Sequence, residues 1–356
     1  MPSYNHEKFV SDAIRSILAQ SYANFELLIA DDGSSDSTRE RISEIRDERI
    51  RFFPNLENRG AGVVTRELIV QAKGKYIALL NSDDTWPEGK LALQVNFLEK
   101  NPEIHAHFGR ARFIDSNSQE IPKGSLPFGS VFDKANRTRG MWLRYFFDDS
   151  NCIAHPTMMI RRECYDVLGV YDNRLRQLPD YKMWIEFVKR YNLHVYEKPL
   201  VNFRILPGES ASAISRTNAL RIINEHFVIA RSFFDGVDRQ LMIDAFGDRL
   251  QVSDIPTDIH LEIEKTLQFF VENRWLGIVY RAVGLERLYG HLGDPEFRGL
   301  LKADYKIDDR YFHKLMGEYD AFKPLANMEQ FTSREVFEES RKRVLRYVKK
   351  KVVKSE

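Results

Sequence analysis

Apolar positions in the first part of the chain switch repeatedly between helical spacing and short contiguous runs. Between His6 and Gln20, residues Phe9, Val10, Ala13, Ile14, Ile17 and Leu18 recur on one helical face, which predicts a helix. "FELLIA", Phe25 to Ala30, reads as a buried strand. It ends in "DDGSSDST", a run of turn formers with Ser34, Ser35 and Asp36 as alternative N-caps. The next helix runs to about Arg46 and buries Ile42 and Ile45. "RIRFFP" follows as a strand, "ENRGAG" as a turn, and a further helix reaches about Ala72. "KYIALL" is the next strand, with "NSDD" at its carboxyl end, and a helix with Leu91, Val95 and Leu98 on one face comes after it. Strands alternating with helices predict an α/β fold, a mostly parallel sheet covered on both faces. Ligands of such sheets bind beyond the carboxyl ends of the strands, where Asp31-Asp32 and Asp83-Asp84 both fall.

From Ile104 to about Ile205 the pattern is less regular. "AHFGRARFID" and "HPTMMIRR" read as strands around a loop region with Pro122, Gly124, Pro127 and Gly129. "YKMWIEFVKRY" is a helix with Trp184, Ile185 and Val188 at core spacing, and "LHVYEKPLVNFRI" returns as one or two strands. After about Ser210 the strand signals stop, and residues 216–356 read as successive helices. A boundary near 208–217 is expected, giving a first domain over 1–215 and a helical region over 216–356. There is no internal repeat and no low-complexity segment.

Composition narrows the function classes. With 43% hydrophobic and 29% charged residues, the 356-residue chain is ordinary for a soluble protein. A net charge of +1 provides no global field to attract nucleic acid. Only Cys152 and Cys164 are present, which excludes a disulfide framework and fits a reducing compartment. No signal peptide and no bilayer-length apolar run is found, so a cytoplasmic location is expected, with docking on the inner membrane face as the alternative. The last stretch, "SRKRVLRYVKKKVVKSE", interleaves Val344, Leu345, Val348, Val352 and Val353 with Lys and Arg. Such a helix either lies on an anionic membrane surface or packs on its neighbours or on a second subunit.

Several stretches, in order, resemble glycosyltransferase family 2, the inverting enzymes with a GT-A fold. They are Pro2, Tyr4 and Asn5; "LAQSYANFELLIADDGSSDST"; Asn58 and Gly60; "QAKGKYIALL" running into "NSDDTW"; "HPTMMIRRECYDVLGVYD"; and the acid before "YKMW". The resemblance covers roughly residues 1–215. It implies a Rossmann-like catalytic domain, a nucleotide-sugar donor (UDP-sugar being the commonest) and a glycan or lipid-linked acceptor, in bacterial surface polysaccharide or glycan synthesis. There are departures. Asn81 replaces the first acid of the Asp-x-Asp-Asp turn, Pro179-Asp180 stands for Glu-Asp, Thr65 replaces an Arg, and the late Tyr-Arg-x-His segment survives only as "NFRILPGES". The family's first strand, central in its sheet, would precede Pro2, so an unfilled slot with unpaired backbone groups at ~1–3 kcal/mol each is expected unless something else occupies it.

Two adjacent carboxylates are tolerable when a cation sits beside them, and a hard divalent ion suits Asp oxygens. Mg²⁺ or Mn²⁺ held by Asp84 would neutralise charge on a departing diphosphate; by resemblance, Asp83 contacts the ribose or the metal. The bland reading is a solvated turn of helix-capping acids. The resemblance also implies that Asp31 or Asp32 hydrogen-bonds the base, with Tyr4 and Asn5 beside it and Asn58 in the donor-binding set; turn chemistry alone explains "DDGS" equally well. Asp180 is the candidate general base that takes the acceptor hydroxyl proton, at a helix N-terminus that favours its negative charge; an ordinary N-cap is the competing account. Trp184 reads as core, Trp86 as core or donor pocket, and His155 as structural or acceptor-facing. Arg204 pairs with the diphosphate or sits in a salt bridge. Two other functions stay in view: a sugar-nucleotide pyrophosphorylase, disfavoured because no Gly-rich loop opens the chain, and a non-catalytic scaffold that binds through its helical region.

Overall fold

The computed structural model describes residues 1–206, 215–273 and 276–318. The basic carboxyl-terminal stretch with Val344 to Val353 lies outside the described residues. The described chain forms two compact units, Met1–Ser210 with Phe233–Ser253, and Ala211–Ser232 with Asp254–Glu356. Residues 233–253, which the sequence division assigns to the helical region, group with the first unit.

Seven strands and eight of the α-helices build the first unit among the described residues. The strands are β1 (Pro2–Ser3), β2 (Leu27–Asp31), β3 (Ile50–Pro54), β4 (Tyr76–Ala78), β5 (Ile104–Ile114), β6 (Met159–Arg161) and β7 (Asn192–Arg204). The helices here are α1 (Val10–Leu18), α2 (Thr38–Glu44), α3 (Ala61–Gln71), α4 (Lys90–Lys100), α5 (Arg139–Asp148), α6 (Glu163–Leu168) and α7 (Pro179–Val188). After α8 (Arg216–Ser232) in the second unit, α9 (Arg239–Phe246) returns to the first. One sheet has the order β1-β2-β3, all parallel; the other has the order β4-β6-β5-β7, with β6 antiparallel to both neighbours and β5 parallel to β7.

β2 is buried on both faces, as a strand between two helical layers must be. Leu27 and Ile29 meet Val10, Ala13, Ile14 and Ile17 of α1, in a core continued by Leu80, Trp86, Leu91 and Leu98. Leu28 and Ala30 point the other way, to Val64 and Leu68 of α3. Each fully buried Val or Ile here contributes roughly 1.5–3 kcal/mol. Helix α1 starts at Val10, later than periodicity suggests, because the backbone N–H groups of Asn5, His6 and Glu7 are drawn off into hydrogen bonds with residues 34–38.

The expected vacancy in the central sheet is filled at one end only. Pro2 and Ser3 pair with Ala30 and Asp31, and the Met1 amine donates to the Leu28 carbonyl at 2.8 Å. Toward the amino end of β2, no strand among the described residues lies between it and β4. A cavity of about 740 Å³ opens there, lined by Ile17, Leu27, Leu28, Leu68, Ile77 and Leu91 among others.

Helix α5, "RGMWLRYFFD", is absent from the sequence reading, which treats its neighbourhood as loop. It packs on α9 so closely that a Cβ on Gly140 would fall 2.8 Å from Asp244. Phe147 lies against Phe233, Phe234 and Phe246, and Arg249 grips Asp148 through two 2.8 Å bonds.

The second unit continues with α10 (Asp258–Gln268), α11 (Gly277–Gly293), α12 (Pro295–Asp304) and α13 (Asp309–Glu318). Ile229, Ile263, Val283, Leu288 and Leu301 are buried within it. His260 is buried between Thr257 Oγ1 at 2.7 Å and Asp304 Oδ2 at 3.0 Å. Among the described residues no helix is long and apolar enough to cross a membrane.

Candidate functional site

Three loops at the carboxyl ends of β1, β2 and β3 are tied into one platform. Asn5 takes a left-handed conformation (φ 51°), which Asn tolerates better than most residues. Its backbone N–H donates to Ser34 Oγ, and its side-chain oxygen accepts from the Ser35 N–H, both at 2.9 Å. The Glu7 N–H donates to Asp36, and the Ser37 N–H returns a bond to Glu7. Next to this, Gly33 (φ 77°) approaches the Glu57-Asn58 backbone so closely that a Cβ would fall 2.6 Å from Asn58 N, which only glycine permits.

Asp31 and Asp32 both serve this platform. Asp31 is fully buried and accepts from the Ser34 N–H at 3.0 Å, from the Ser34 hydroxyl and from Arg39 Nε at 2.7 Å. Asp32 accepts from the Arg59 and Gly60 N–H groups, each at 2.8 Å, and so holds the start of α3. Tyr4 and Asn58 are exposed beside them.

The turn after β4 separates the other pair of acids. Asp84 is 1% exposed; Oδ1 accepts from the Arg204 N–H at 2.7 Å and Oδ2 from Asn81 Nδ2 at 3.2 Å. The Asp83 side chain is 20% exposed, and its Oδ2 lies 4.0 Å from His6 Nε2. Asp83 is therefore the open carboxylate of the two. Burial pushes both carboxyl groups above the usual range; the Asp83 charge adds to this at Asp84, whereas His6 pulls Asp83 partly back. Two neighbouring carboxyls that gain too little from surrounding donors form a donor set that a hard divalent cation would satisfy. No cluster of three or more His, Cys, Asp or Glu side chains is placed to hold an ion among the described residues, so water and substrate oxygens would complete the shell.

Arg204 differs from the expected diphosphate contact. It is 3% exposed, and its guanidinium donates to the Asp83 carbonyl and the Asp115 carbonyl, each at 2.7 Å, and to Ser118 Oγ at 3.1 Å, while its Cζ lies 4.7 Å above the Phe9 ring. Its donors are spent on fixing the acidic turn. Trp86 is core: its N–H groups go to Ser16 Oγ and the Pro156 carbonyl, and Lys90 Nζ sits 4.0 Å over its ring. Trp184 is fully buried, as its helical spacing suggests.

Asp180 stands in the first turn of α7, half-buried. Oδ2 accepts from Asn151 Nδ2 at 2.8 Å and Oδ1 from the Tyr181 N–H at 2.8 Å. His155 bonds Tyr171 OH at 2.7 Å; burial lowers the His155 pKa and the nearby Asp180 charge opposes that shift. Sequence reasoning misses His6, Ser82, Asn151 and Tyr171. Only the position of His6, directly after Tyr4-Asn5, hints at its place, because the partners lie far along the chain.

The comparisons with known proteins agree with this architecture. Residues 1–168 match the model of glycosyl transferase family 2. The chain is 33% identical over 193 residues, 54% of its length and 70% of the relative's, to the Escherichia coli UDP-Glc:alpha-D-GlcNAc-diphosphoundecaprenol beta-1,3-glucosyltransferase WfgD. It is 31% identical over 210 residues to the uncharacterized glycosyltransferase MJ1057 of Methanocaldococcus jannaschii, across 58% of this chain and 69% of that one. Its fold is similar to that of S. aureus TarS residues 1–349, with a TM-score of 0.53 and 16% identity over 90% of this chain and 91% of that one. With strand ends carrying paired acids on a GT-A sheet and relatives of this kind, the chain belongs to glycosyltransferase family 2.

Proposed function

We propose that the chain transfers a hexosyl group from a UDP-sugar to a hydroxyl of a lipid-linked glycan, with inversion. In this reading the diphosphate lies against the turn after β4, and the nucleoside against the platform of Tyr4, Asn5 and Asn58. Asp83, with Asp84 behind it, would hold a divalent cation, Mg²⁺ or Mn²⁺. When bound, it offsets the negative charge that grows on the leaving diphosphate. Asp84 and Arg204 fix the turn, so Asp83 presents its carboxylate without reorganising. Asp31 and Asp32 shape the nucleoside platform through the Ser34, Arg59 and Gly60 N–H groups they hold.

Asp180 takes the proton from the acceptor hydroxyl as that oxygen bonds to the anomeric carbon; the bond from that carbon to the diphosphate oxygen breaks on the opposite face. Asn151 holds one oxygen of Asp180, and the N-terminus of α7 favours its charged form. The observation that carries the reading is the asymmetry at the turn: Asp84 buried and bonded, Asp83 open. The name of the E. coli relative motivates both UDP and the diphospholipid acceptor. The test is thermal stabilisation by UDP with and without MnCl₂, followed by a panel of UDP- and GDP-sugars. A metal-dependent shift with UDP is expected; no shift with any nucleotide refutes the reading. Contact of the basic carboxyl-terminal stretch with the inner membrane face belongs to the same proposal, and flotation of the full chain with anionic vesicles tests it.

A further inference from the structure

We infer that His6 is a direct ligand of the divalent cation through Nε2, alongside Asp83, which makes this site favour Mn²⁺ over Mg²⁺. The inference rests on the donor-site reading above and names a residue outside the acidic turn. His6 Nδ1 lies 2.7 Å from Ser82 Oγ, and Ser82 is buried. With the Nδ1 proton donated to that hydroxyl, the lone pair resides on Nε2. A hydrogen bond from the distal ring nitrogen is how proteins orient a ligating imidazole and raise its basicity.

Nε2 then faces Asp83 Oδ2 at 4.0 Å, with both side chains partly open at 22% and 20% exposure. Two ligands on one ion at ~2.1 Å each lie about 3.0 Å apart at right angles and about 4.2 Å apart when opposite, so a single ion can span this gap. The residue is held in place from three directions. The His6 N–H donates to Thr38 Oγ1 at 2.8 Å, its carbonyl accepts from the Phe9 and Val10 N–H groups at 2.9 Å, and Phe9 packs edge-on against it at 6.3 Å. The imidazole is thus preorganised and accessible. Mg²⁺ demands hard oxygen ligands and takes imidazole poorly, whereas Mn²⁺, a first-row transition ion, accepts a nitrogen ligand more readily, so a mixed nitrogen and oxygen pair shifts the preference toward Mn²⁺.

Pulsed electron paramagnetic resonance on the full chain with MnCl₂ and UDP reads the ligand directly. Imidazole nitrogen modulation is expected in the wild type and absent in His6→Gln. Competition binding should show the Mn²⁺-over-Mg²⁺ preference falling about tenfold or more in His6→Gln. Ser82→Ala keeps the nitrogen signal and weakens Mn²⁺ binding by up to about tenfold. A wild type that binds Mn²⁺ and UDP without a nitrogen signal overturns the assignment of His6 alone. So does an unchanged metal preference in His6→Gln. A wild type that binds no UDP with any divalent ion overturns the donor-site reading and this inference together.

Discussion

The backbone N–H of Arg204 donates to Asp84 Oδ1 at 2.7 Å, across 120 positions of sequence, and the Arg204 side chain reaches on to the carbonyl of Asp83. The end of β7 is thereby sewn to the turn after β4. An arginine that looks like a phosphate clamp in sequence is a structural strut beneath the acids.

Arg204→Lys should therefore destabilise the fold. Lysine cannot reproduce the planar fork that reaches two carbonyls and a hydroxyl, so about 2–3 kcal/mol is expected from lost charge-assisted bonds. Urea denaturation measures it; an unchanged midpoint would return Arg204 to the list of substrate contacts.

The two acids of the turn should separate by phenotype. Asp84→Ala leaves the buried Arg204 N–H without its acceptor and should cost ~1–3 kcal/mol. Asp83→Ala removes a partly exposed side chain and should leave the melting temperature nearly unchanged while abolishing metal-dependent UDP binding. Calorimetric titration of UDP with MnCl₂ distinguishes them, and an Asp83→Ala variant with normal affinity would contradict the assignment.

Asp180→Asn should retain donor binding and lose turnover by roughly 10²–10⁴-fold, the usual range for a general base. The amide keeps the shape and the bond to the Tyr181 N–H but cannot take up a proton. Near-normal turnover would remove Asp180 from the mechanism.

Stability should fall in mild acid through His107. This residue is fully buried against Phe97 and His194, neither ring nitrogen has a hydrogen-bond partner among the described residues, and burial, with the nearby His194 and Lys90 charges, lowers its pKa from 6.5 to about 3. The folded-state pKa lies below the unfolded value, so the unfolded chain binds the extra proton between pH 6.5 and about 3. Stability is full above that window and declines as pH drops through it, at about 1.4 kcal/mol per pH unit from this one group. His107→Phe should flatten the difference in urea midpoint between pH 7 and pH 5; an unchanged difference would assign the acid sensitivity elsewhere.

Much of the fold is legible from local pattern. The apolar run at Leu27 to Ala30, the helical face of Val10 to Ile17 and the turn formers after each strand dictate their own backbone states, and the order of these elements puts both acidic pairs at carboxyl ends of strands. Helix α5 is less legible: its contact face is set by α9, about a hundred positions later, and its Gly140 lowers local helix preference for the sake of close approach.

The sequence by itself determined the strand and loop alternation, the placement of Asp31-Asp32 and Asp83-Asp84 at strand tips, and the position of Asp180 in the first turn of a helix. Only the tertiary structure decided which acid is open, that Arg204 braces the turn, and that His6 meets Ser82 across 76 positions. Element type follows from the spacing of neighbouring side chains, which a chain displays along its length. Exposure and hydrogen-bond partnership are set by contacts between distant segments, and those exist only after packing brings the loops together.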